Sequence, residues 1–361
     1  MLYNLLYPLT EYMSAFNVFR YITFRTAYAM VTAMLLVLMS GSYFTVKLKK
    51  WRFSQLTKGF EPARHKNKEG TPTMGGLIIM FATTASTLLW ADLSNRYVWI
   101  ALFVFASFAI IGFADDYKKT VKHYPKGIHS RTKFFWQSLV AVVAIGLLML
   151  TNKSPDKMLL MLPFVKGLAL NLGYMYPLFA WFIVVGTSNA VNLTDGLDGL
   201  AIMPAVIAFG AYAIFAYIAS NTIWTSYLSV FYVREASELP VFCASMVGAG
   251  LGFLWFNSYP ASIFMGDVGS LSIGGALGAV AVMVKQEFLL LIVGGLFVAE
   301  TVSVILQVGY FKLTHGKRIF LMSPLHHHFE LKGWSEPKII VRFWIISLIL
   351  TIVAVSTLKL R

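Results

Sequence analysis

Long runs of apolar residues, separated by short polar segments, constrain this chain more than any other feature. Each run extends over roughly 18 to 22 residues, which as a helix crosses about 30 Å of hydrocarbon. Hydrophobic residues make up 58% of the 361 residues and charged residues only 13%, whereas a soluble domain is nearer a quarter charged. The runs therefore predict an all-α polytopic membrane protein, with residues 1–361 forming one integral membrane domain.

Ten of these runs are predicted to be membrane spans. The aromatic segment before them, residues 1–20, lacks the basic n-region of a signal peptide and is predicted to be an interfacial helix. Arg25, near the start of the first span, is expected to extend its guanidinium to the membrane surface. Residues 151–173 are turn-rich and are expected to form a hairpin. The ten spans cover about residues 22–46, 74–90, 97–114, 134–150, 174–185, 200–219, 239–256, 271–284, 288–311 and 339–357.

The basic residues predict how the spans are oriented. Ten spans place alternate loops on opposite sides, and the loops after spans one, three and nine are rich in Lys and Arg. By the positive-inside rule these loops are cytoplasmic and both termini are periplasmic. The net charge of +14 then reflects orientation and attraction to anionic lipids, so nucleic-acid binding is not expected. The single cysteine, Cys243, excludes a disulfide framework within one chain.

Acidic residues are rare, and several occur together in a polar segment between spans five and six. Residues 186–199 read GTSNAVNLTDGLDG and contain Asp195 and Asp198. If this backbone is helical, the i, i+3 spacing puts both carboxylates on one face. Gly196 and Gly199 would let a large ligand approach the backbone closely. We interpret this segment as the centre of an active site.

Other carboxylates are predicted to join this segment. Asp115 and Asp116 follow span three, and Asp267 follows span seven. Because spans three, five and seven all end on the predicted cytoplasmic side, these side chains are expected to converge there. Carboxylates that face basic loops at a membrane interface suit Mg²⁺ together with phosphate. Both features together indicate phosphoryl transfer, in which positioning and charge neutralisation supply most of the catalysis.

Each acidic motif also has a purely structural interpretation. Asp115 and Asp116 could anchor the helix at the interface, or be a helix C-terminal pair balanced by Lys118 and Lys119, although carboxylates at a helix C-terminus oppose the dipole. Being adjacent, they point about 100° apart on a helix, which indicates different roles. Asp195 and Asp198 could cap the following helix, and Asp267 could be a turn residue or an N-cap.

The loop before the last span contains three consecutive histidines, His326, His327 and His328. They lack the i, i+4 spacing of helical zinc motifs, so phosphate binding through the imidazoles is the favoured interpretation and a solvated run the alternative. Glu300 lies inside span nine, where acidic residues are functional candidates by default; it is expected either to pack against a partner or to line a pocket. Lys68 and Thr73, before span two, could be only loop and cap residues, and Lys68 could equally reach a phosphate.

Four segments carry a family resemblance. They are FADDYKK, NAVNLTDGLDGLA, FNSYPASIFMGDVGS and SPLHHHFELKGW. In this order between ten spans, they resemble the polyprenyl-phosphate N-acetylhexosamine-1-phosphate transferases. The last segment and its continuation KIIVRFWIISL resemble the bacterial branch that transfers phospho-MurNAc-pentapeptide. The resemblance extends from about Phe16 to the C-terminus.

The resemblance implies a reaction and a set of roles. Phospho-MurNAc-pentapeptide would pass from UDP-MurNAc-pentapeptide to undecaprenyl phosphate, giving lipid I and UMP, in a ten-helix homodimer of the bacterial inner membrane that requires Mg²⁺. Asp267 would bind the metal, and Asp115 would be the candidate base, with Asp116 beside it. The uridine-diphosphate pocket would be lined by Asn192, Asp195, Gly196, Leu197, Asp198, Asn257 and Phe264. Phosphates or the sugar side would be held by Lys68, Thr73, Lys133, His326, His327 and His328.

Alternatives remain at the level of mechanism and of function. Direct attack of the lipid phosphate is the expected route, and an aspartyl-phosphate on Asp115 or Asp116 is the other. A sister enzyme would transfer GlcNAc-1-phosphate instead. A transporter or channel would place ionisable residues near the midplane and often has inverted repeats, whereas the acids here cluster at one predicted face.

Overall fold

The computed structural model describes residues 1–50, 70–124, 126–152, 154–162 and 169–359. Within these ranges, nine helices are long and apolar enough to cross a membrane, and a tenth apolar helix, Gly76–Trp90, is shorter. Because hydrocarbon offers no partners to backbone N–H and C=O groups, a chain that crosses it repeatedly satisfies them inside helices. The predicted polytopic helical membrane protein is therefore confirmed, while ten spans and periplasmic termini stay predictions.

The helices and strands follow one another in a simple order. The helices are α1 (Leu2–Leu6), α2 (Ile22–Lys50), α3 (Gly76–Trp90), α4 (Arg96–Thr120), α5 (Ser130–Thr151), α6 (Tyr176–Thr194), α7 (Ile202–Ala219), α8 (Thr222–Leu228), α9 (Leu239–Asn257), α10 (Gly266–Met283), α11 (Glu287–Val293), α12 (Gly295–Leu313), α13 (Leu325–Leu331) and α14 (Glu336–Ser356). Two strands, β1 (Leu159–Met161) and β2 (Ala169–Asn171), lie between α5 and α6. Short 3-10 helices cover Tyr7–Glu11, Ser14–Arg20, Pro155–Met158, Gly173–Met175, Arg234–Glu238 and Thr357–Lys359.

Several boundaries differ from the prediction in ways that matter for the site. Helix α4 continues to Thr120, six residues past the predicted end of span three, so Asp115 and Asp116 lie within the helix. Helix α10 begins at Gly266, which puts Asp267 in its first turn. Span nine is divided into α11 and α12, with Gly294 between them.

Two connections also contain regular structure. The hairpin expected in residues 151–173 is confirmed, because β1 and β2 pair antiparallel with Leu160 opposite Leu170. The all-α class is therefore corrected by this small two-stranded sheet. The segment between α7 and α9 contains the short helix α8, which Asn221 caps by accepting the N–H groups of Ile223 and Trp224.

Helix α10 lies at the centre of the bundle. Its side chains are buried continuously from Val268 to Met283, and it packs against α4 and α6. A Cβ at Gly112 of α4 would lie 2.2 Å from the carbonyl oxygen of Asp267. Only glycine permits this backbone contact between two helices. The close approach fixes the first turn of α10 against the last turns of α4.

A buried ion pair at the N-terminal end of α9 corrects the prediction for Arg25. The guanidinium does not extend to the membrane surface, because it makes two hydrogen bonds to Glu238, at 2.5 and 2.7 Å. The two side chains are only 4% and 9% exposed. A bidentate carboxylate supplies the counter-charge that makes burial of the guanidinium possible.

Candidate active site

Two carboxylates and two lysines meet where α4, α5 and α10 come together. Lys119 Nζ lies 2.7 Å from Asp115 Oδ2 and 2.9 Å from Asp267 Oδ2. Lys133 Nζ lies 2.8 Å from the same Asp267 oxygen and 3.4 Å from Asp115 Oδ2. The structure thus brings together Asp115, Asp267 and Lys133 of the predicted site, although 152 residues separate the two carboxylates in the sequence.

The other oxygen of each carboxylate is also hydrogen-bonded. Asn192, in the last turns of α6, donates its amide to Asp267 Oδ1 at 2.8 Å and to Ser270 Oγ at 2.8 Å. Asp115 Oδ1 accepts the backbone N–H of Ile128, so the loop after α4 folds back onto the end of that helix. These bonds hold both carboxylates in fixed orientations.

Asp116 points away from Asp115 and has a different environment, as the helical geometry predicts. Its Oδ2 accepts the backbone N–H of Val268 at 3.2 Å, and the side chain is buried. A carboxylate at a helix N-terminus satisfies an N–H group that has no partner within the helix. Thr73, also buried, lies beside Gly266 at the same helix start. Both predicted site residues therefore support the start of α10, one residue from Asp267.

The segment that carries Asp195 and Asp198 is not helical. Helix α6 ends at Thr194 and Asp195 is its C-cap, so the condition for a shared helical face is not met. Asp198 accepts the N–H of Ala261 at 2.9 Å. Asn257 accepts the N–H of Gly199 at 3.0 Å and donates to the carbonyl of Ile263 at 2.8 Å. Buried Asp198 and Asn257 therefore join the loop after α6 to the loop after α9.

Asp195 differs from its neighbours because its carboxylate makes no hydrogen bond or ion pair with any residue that the structure describes. Burial, followed by the charges of Asp267 and Asp198, raises the pKa of Asp195 to about 8. The group is therefore protonated at neutral pH, and it becomes an anion only above that value.

Leu197 and Phe264, the two hydrophobic residues of the predicted uridine-diphosphate pocket, lie in different segments and make different contacts. Leu197, in the same loop as Asp195, is buried in a cluster with Leu200, Leu296 and Ile339. Phe264 pairs through its backbone: its N–H donates to the carbonyl of Pro72 and its carbonyl accepts from Gly75. Lys68 lies outside the described residues.

The three histidines have three different surroundings. His326 is buried, and its Nδ1 lies 3.3 Å from Glu300 Oε1. His327 Nδ1 lies 2.7 Å from Glu330 Oε2, and His328 Nδ1 accepts the N–H of Leu321 at 3.1 Å. Burial lowers the pKa of His326, which favours its neutral form. The histidines are therefore not a single cluster aimed at one ligand.

The absence of a side chain at Gly196 makes room for the His326 ring. A Cβ there would lie 2.3 Å from His326 Nε2, well inside van der Waals contact. We expected the missing side chain to admit a ligand, but in this structure it admits the His326 imidazole. The loop after α6 and helix α13 are thereby in direct contact.

Lys119 is the main functional candidate that the sequence analysis missed. The sequence suggests for it a place in a basic loop or a role in balancing the charge of Asp115 and Asp116, because span three is predicted to end at Ala114. In a longer helix, Lys119 lies four residues after Asp115, the spacing at which opposite charges pair. The i, i+4 relation was thus a usable signal.

The donor atoms present fit Mg²⁺ with few protein ligands. Among the described residues no three His, Cys, Asp or Glu side chains come together as a metal-binding group. Asp115 and Asp267, however, direct one oxygen each towards the same two ammonium groups. Mg²⁺ is commonly held by one or two carboxylates, with waters and substrate phosphates completing its shell. This pair of carboxylates meets that requirement.

Comparison with known proteins identifies the family. A family model described as glycosyl transferase family 4 matches residues 98–285, and a phospho-N-acetylmuramoyl-pentapeptide-transferase signature matches residues 68–80. The chain is 56% identical over 362 residues to a phospho-N-acetylmuramoyl-pentapeptide-transferase of Desulfosudis oleivorans, and the alignment covers 100% of both chains. It belongs to this transferase family. Proteins of the same name from Desulfatibacillum aliphaticivorans and Syntrophus aciditrophicus are 57% and 53% identical, again over 100% of both chains.

The residues matched by the family model and the signature include most of the residues that form the candidate site. The glycosyl transferase family 4 model covers Asp115, Lys133, Asn192 and Asp267, and the transferase signature covers Thr73. The histidines of α13 lie beyond both, but within the full-length alignment to the transferases. The resemblance stated from four sequence segments is thus confirmed over the whole chain.

Proposed function

We propose that this protein transfers phospho-MurNAc-pentapeptide from UDP-MurNAc-pentapeptide to undecaprenyl phosphate, forming lipid I and UMP in the first membrane step of peptidoglycan synthesis. The full-length identity to transferases of that name supports the assignment. The structural observation that carries it is the pair of lysines between Asp115 and Asp267.

The two lysines suit a reaction in which phosphates carry the charge. Lys119 and Lys133 are paired with carboxylates here, but their side chains remain partly exposed. A diphosphate can therefore contact these two lysines without disrupting the buried core of the protein. Neutralising and orienting phosphate oxygens is the main catalytic work in phosphoryl transfer, and a positive pair at fixed positions does this.

Mg²⁺ is the proposed cofactor, with Asp267 as its principal ligand and Asp115 as the second oxygen donor. When bound, the metal would supply positive charge to the diphosphate oxygens. Lys119 and Lys133 would then be released to the phosphates, while Asn192 keeps Asp267 oriented through its other oxygen.

Direct transfer is the proposed mechanism. An oxygen of undecaprenyl phosphate attacks the sugar-linked phosphorus of the donor, the new P–O bond forms, and the bond to UMP breaks with its electron pair leaving on UMP. A phosphate monoester has its second pKa near about 6, so the attacking oxygen is already anionic at neutral pH. Asp115 then orients the lysines and the acceptor rather than removing an essential proton.

A covalent route through an aspartyl-phosphate is less well supported. Attack would require a free carboxylate oxygen directed at the donor. A hydrogen bond from the N–H of Val268 holds Asp116 at the start of α10, and both oxygens of Asp115 take part in hydrogen bonds or ion pairs. These contacts favour direct attack by the lipid phosphate.

The uridine end of the donor is proposed to lie over the loops after α6 and α9. Asp195, with its unpaired carboxyl group, is the residue best able to contact the ligand. Asp198 and Asn257 would keep the two loops together, and Gly196, Leu197 and Phe264 would shape the pocket. His327 and His328 would contribute on the phosphate or sugar side, together with Lys68.

The cellular setting is proposed from the same family relation and from charge. The protein would be a homodimer in the bacterial inner membrane, with the site facing the cytoplasm and both termini in the periplasm. A cytoplasmic site suits a soluble nucleotide donor, and the basic loops suit that orientation. Cysteine-scanning accessibility from each side of sealed vesicles measures it.

Product formation is the test of the proposed reaction. Purified protein is incubated with radiolabelled UDP-MurNAc-pentapeptide, undecaprenyl phosphate and Mg²⁺, and label is extracted into the lipid phase. We expect lipid-linked label and an equal amount of UMP, both dependent on the acceptor. UDP-GlcNAc in place of the donor distinguishes the sister activity. Transfer of GlcNAc-phosphate, with no transfer of the muramyl pentapeptide, would contradict the proposal.

A further inference from the structure

We propose that Glu300 is a positioning residue for the transfer reaction: it holds helix α13 and the His326 imidazole against the loop that carries Asp195 and Gly196. The inference rests on the proposed transferase function. It concerns an acidic side chain inside a membrane-spanning helix, α12, outside the Asp115–Asp267 cluster.

Both oxygens of Glu300 are used to hold α13. Oε2 accepts the N–H of Leu325 at 2.6 Å and Oε1 accepts the N–H of His326 at 3.2 Å. The carboxylate is fully buried, where a charged group is costly unless such bonds satisfy it. A side chain of α12 thus fixes the start of a short helix that follows 25 residues later in the chain.

The His326 ring transmits this restraint to the donor loop. Nδ1 lies 3.3 Å from Glu300 Oε1, on one side of the ring. On the other side Nε2 lies against Gly196, at a distance that leaves no space for a Cβ. Neither ring nitrogen makes a hydrogen bond with the described residues, so the ring is held by these close contacts and by the bond from the backbone N–H of His326 to Glu300. Only 1% of the His326 residue surface is exposed.

The arrangement has a consequence for the reaction. The loop after α6 is held on one side by Asn257, which accepts the N–H of Gly199, and on the other by His326. If Glu300 releases α13, His326 loses its fixed position and the Asp195 side of the loop loses the contact at Gly196 that supports it. Because a displacement of about 1 Å at a reacting centre can cost roughly 10²-fold in rate, a positioning role should appear in turnover.

Three variants test this role in the full-length protein. Glu300→Gln keeps the size of the side chain and one acceptor oxygen but removes the charge, and Glu300→Ala removes both. Thr301→Val is the matched control, since its hydroxyl bonds only to the Phe297 carbonyl within α12. Steady-state kinetics with UDP-MurNAc-pentapeptide and undecaprenyl phosphate separate kcat from KM.

We expect a graded loss of turnover. Glu300→Gln should lower kcat by about 10-fold and Glu300→Ala by about 10²-fold. The KM for undecaprenyl phosphate should change by less than about threefold, because the phosphate-binding lysines are not touched. Hydrogen exchange at the backbone amides of residues 325–331 should become faster in both variants. Thr301→Val should match the wild type in both measurements.

A double variant shows whether Glu300 acts through the imidazole. His326→Gln should lower kcat as well, and adding Glu300→Gln to it should lower kcat by no more than about threefold further. Losses that multiply would overturn the proposal, as would wild-type turnover or unchanged exchange at α13 in Glu300→Ala. Absence of lipid I formation by the wild-type protein would instead refute the proposed function, and the exchange measurement would still report on the restraint.

Discussion

Replacing Asp267 by Asn is the most direct test of the proposed phosphate and metal site. The substitution keeps the shape of the side chain but removes the charge shared by Lys119 and Lys133. It also places an amide where Oδ2 now accepts from two ammonium groups at 2.8 and 2.9 Å. If the amide N–H₂ faces these ammonium groups, three donors meet and Asp115 Oδ2 is the acceptor left to the two lysines.

The structure sets the size of the effect on folding. At about 2.9 Å and an effective dielectric constant of about 20, each lysine is attracted by roughly 6 kcal/mol before any desolvation is counted. Water screens part of this, because the Lys119 and Lys133 side chains are 29% and 16% exposed. Both lysines also keep Asp115 as a partner. We therefore expect a stability loss of about 2 to 3 kcal/mol, below or at the lower limit for breaking a fully buried pair.

The effect on turnover should be much larger. Loss of the principal metal ligand should reduce kcat by about 10³-fold or more, equivalent to roughly 4 kcal/mol of activation free energy. The residual activity should require more Mg²⁺ than the wild type does. Lipid I formation is measured across a Mg²⁺ titration, with gel filtration and thermal melting in detergent as checks on folding.

Two comparisons make the result interpretable. Asp92→Asn alters an acid between α3 and α4, at the opposite end of α4 from the site, and should leave turnover unchanged. Asp267→Glu keeps the charge with one extra methylene and should recover part of the lost rate. Folded Asp267→Asn protein whose turnover stays within tenfold of the wild type at ordinary Mg²⁺ would refute the metal assignment.

Three further substitutions address separate parts of the structure. Lys133→Ala should raise the KM for the donor or the lipid phosphate by about tenfold, because one of two ammonium groups is lost, and it should change the melting temperature little. Unchanged KM values for both substrates would contradict a phosphate-binding role for Lys133. The KM for the donor should rise as the pH passes about 8, because Asp195 is neutral below its pKa of about 8 and, as an anion above it, repels the diphosphate. Asp195→Asn should remove this rise. The same dependence of KM on pH in both proteins would exclude the explanation. Glu238→Gln should lower the free energy of unfolding by about 3 to 5 kcal/mol, measured as a lower melting temperature, because Arg25 is left buried without a counter-charge. Turnover of the folded fraction should stay the same, because Glu238 and the site lie at opposite ends of α9. A loss of turnover in folded protein would show that the two ends are coupled.

The sequence predicted the architecture because a bilayer leaves few alternatives. Runs of about 20 apolar residues have to cross as helices, and each predicted span overlaps a helix of the structure. The alternation of the spans across the membrane also predicted that Asp115 and Asp267 meet, since every second span ends on the same side of the membrane. The helix boundaries were less accurate: α4 and α10 extend beyond their apolar runs at the site, where polar residues continue the helix.

Individual side-chain partners could not be predicted in this way. Arg25 was expected at the surface, because nothing near it in the chain announces a counter-charge; its partner Glu238 lies 213 residues away. Gly196 was expected to face a ligand, but the structure puts the His326 ring there. Each of these contacts joins two distant segments, and the sequence of either segment alone carries no record of it.

By itself, the order of apolar and polar residues determined a helical membrane protein and the end of the bundle where its carboxylates gather, and the resemblance of four segments indicated the family. Only the tertiary structure decided which of those carboxylates face lysines, which one supports the start of α10 and which one has no partner. The reason is that hydrophobicity acts through the length of a segment, whereas ion pairs and hydrogen bonds act over about 3 Å and depend on how the helices pack.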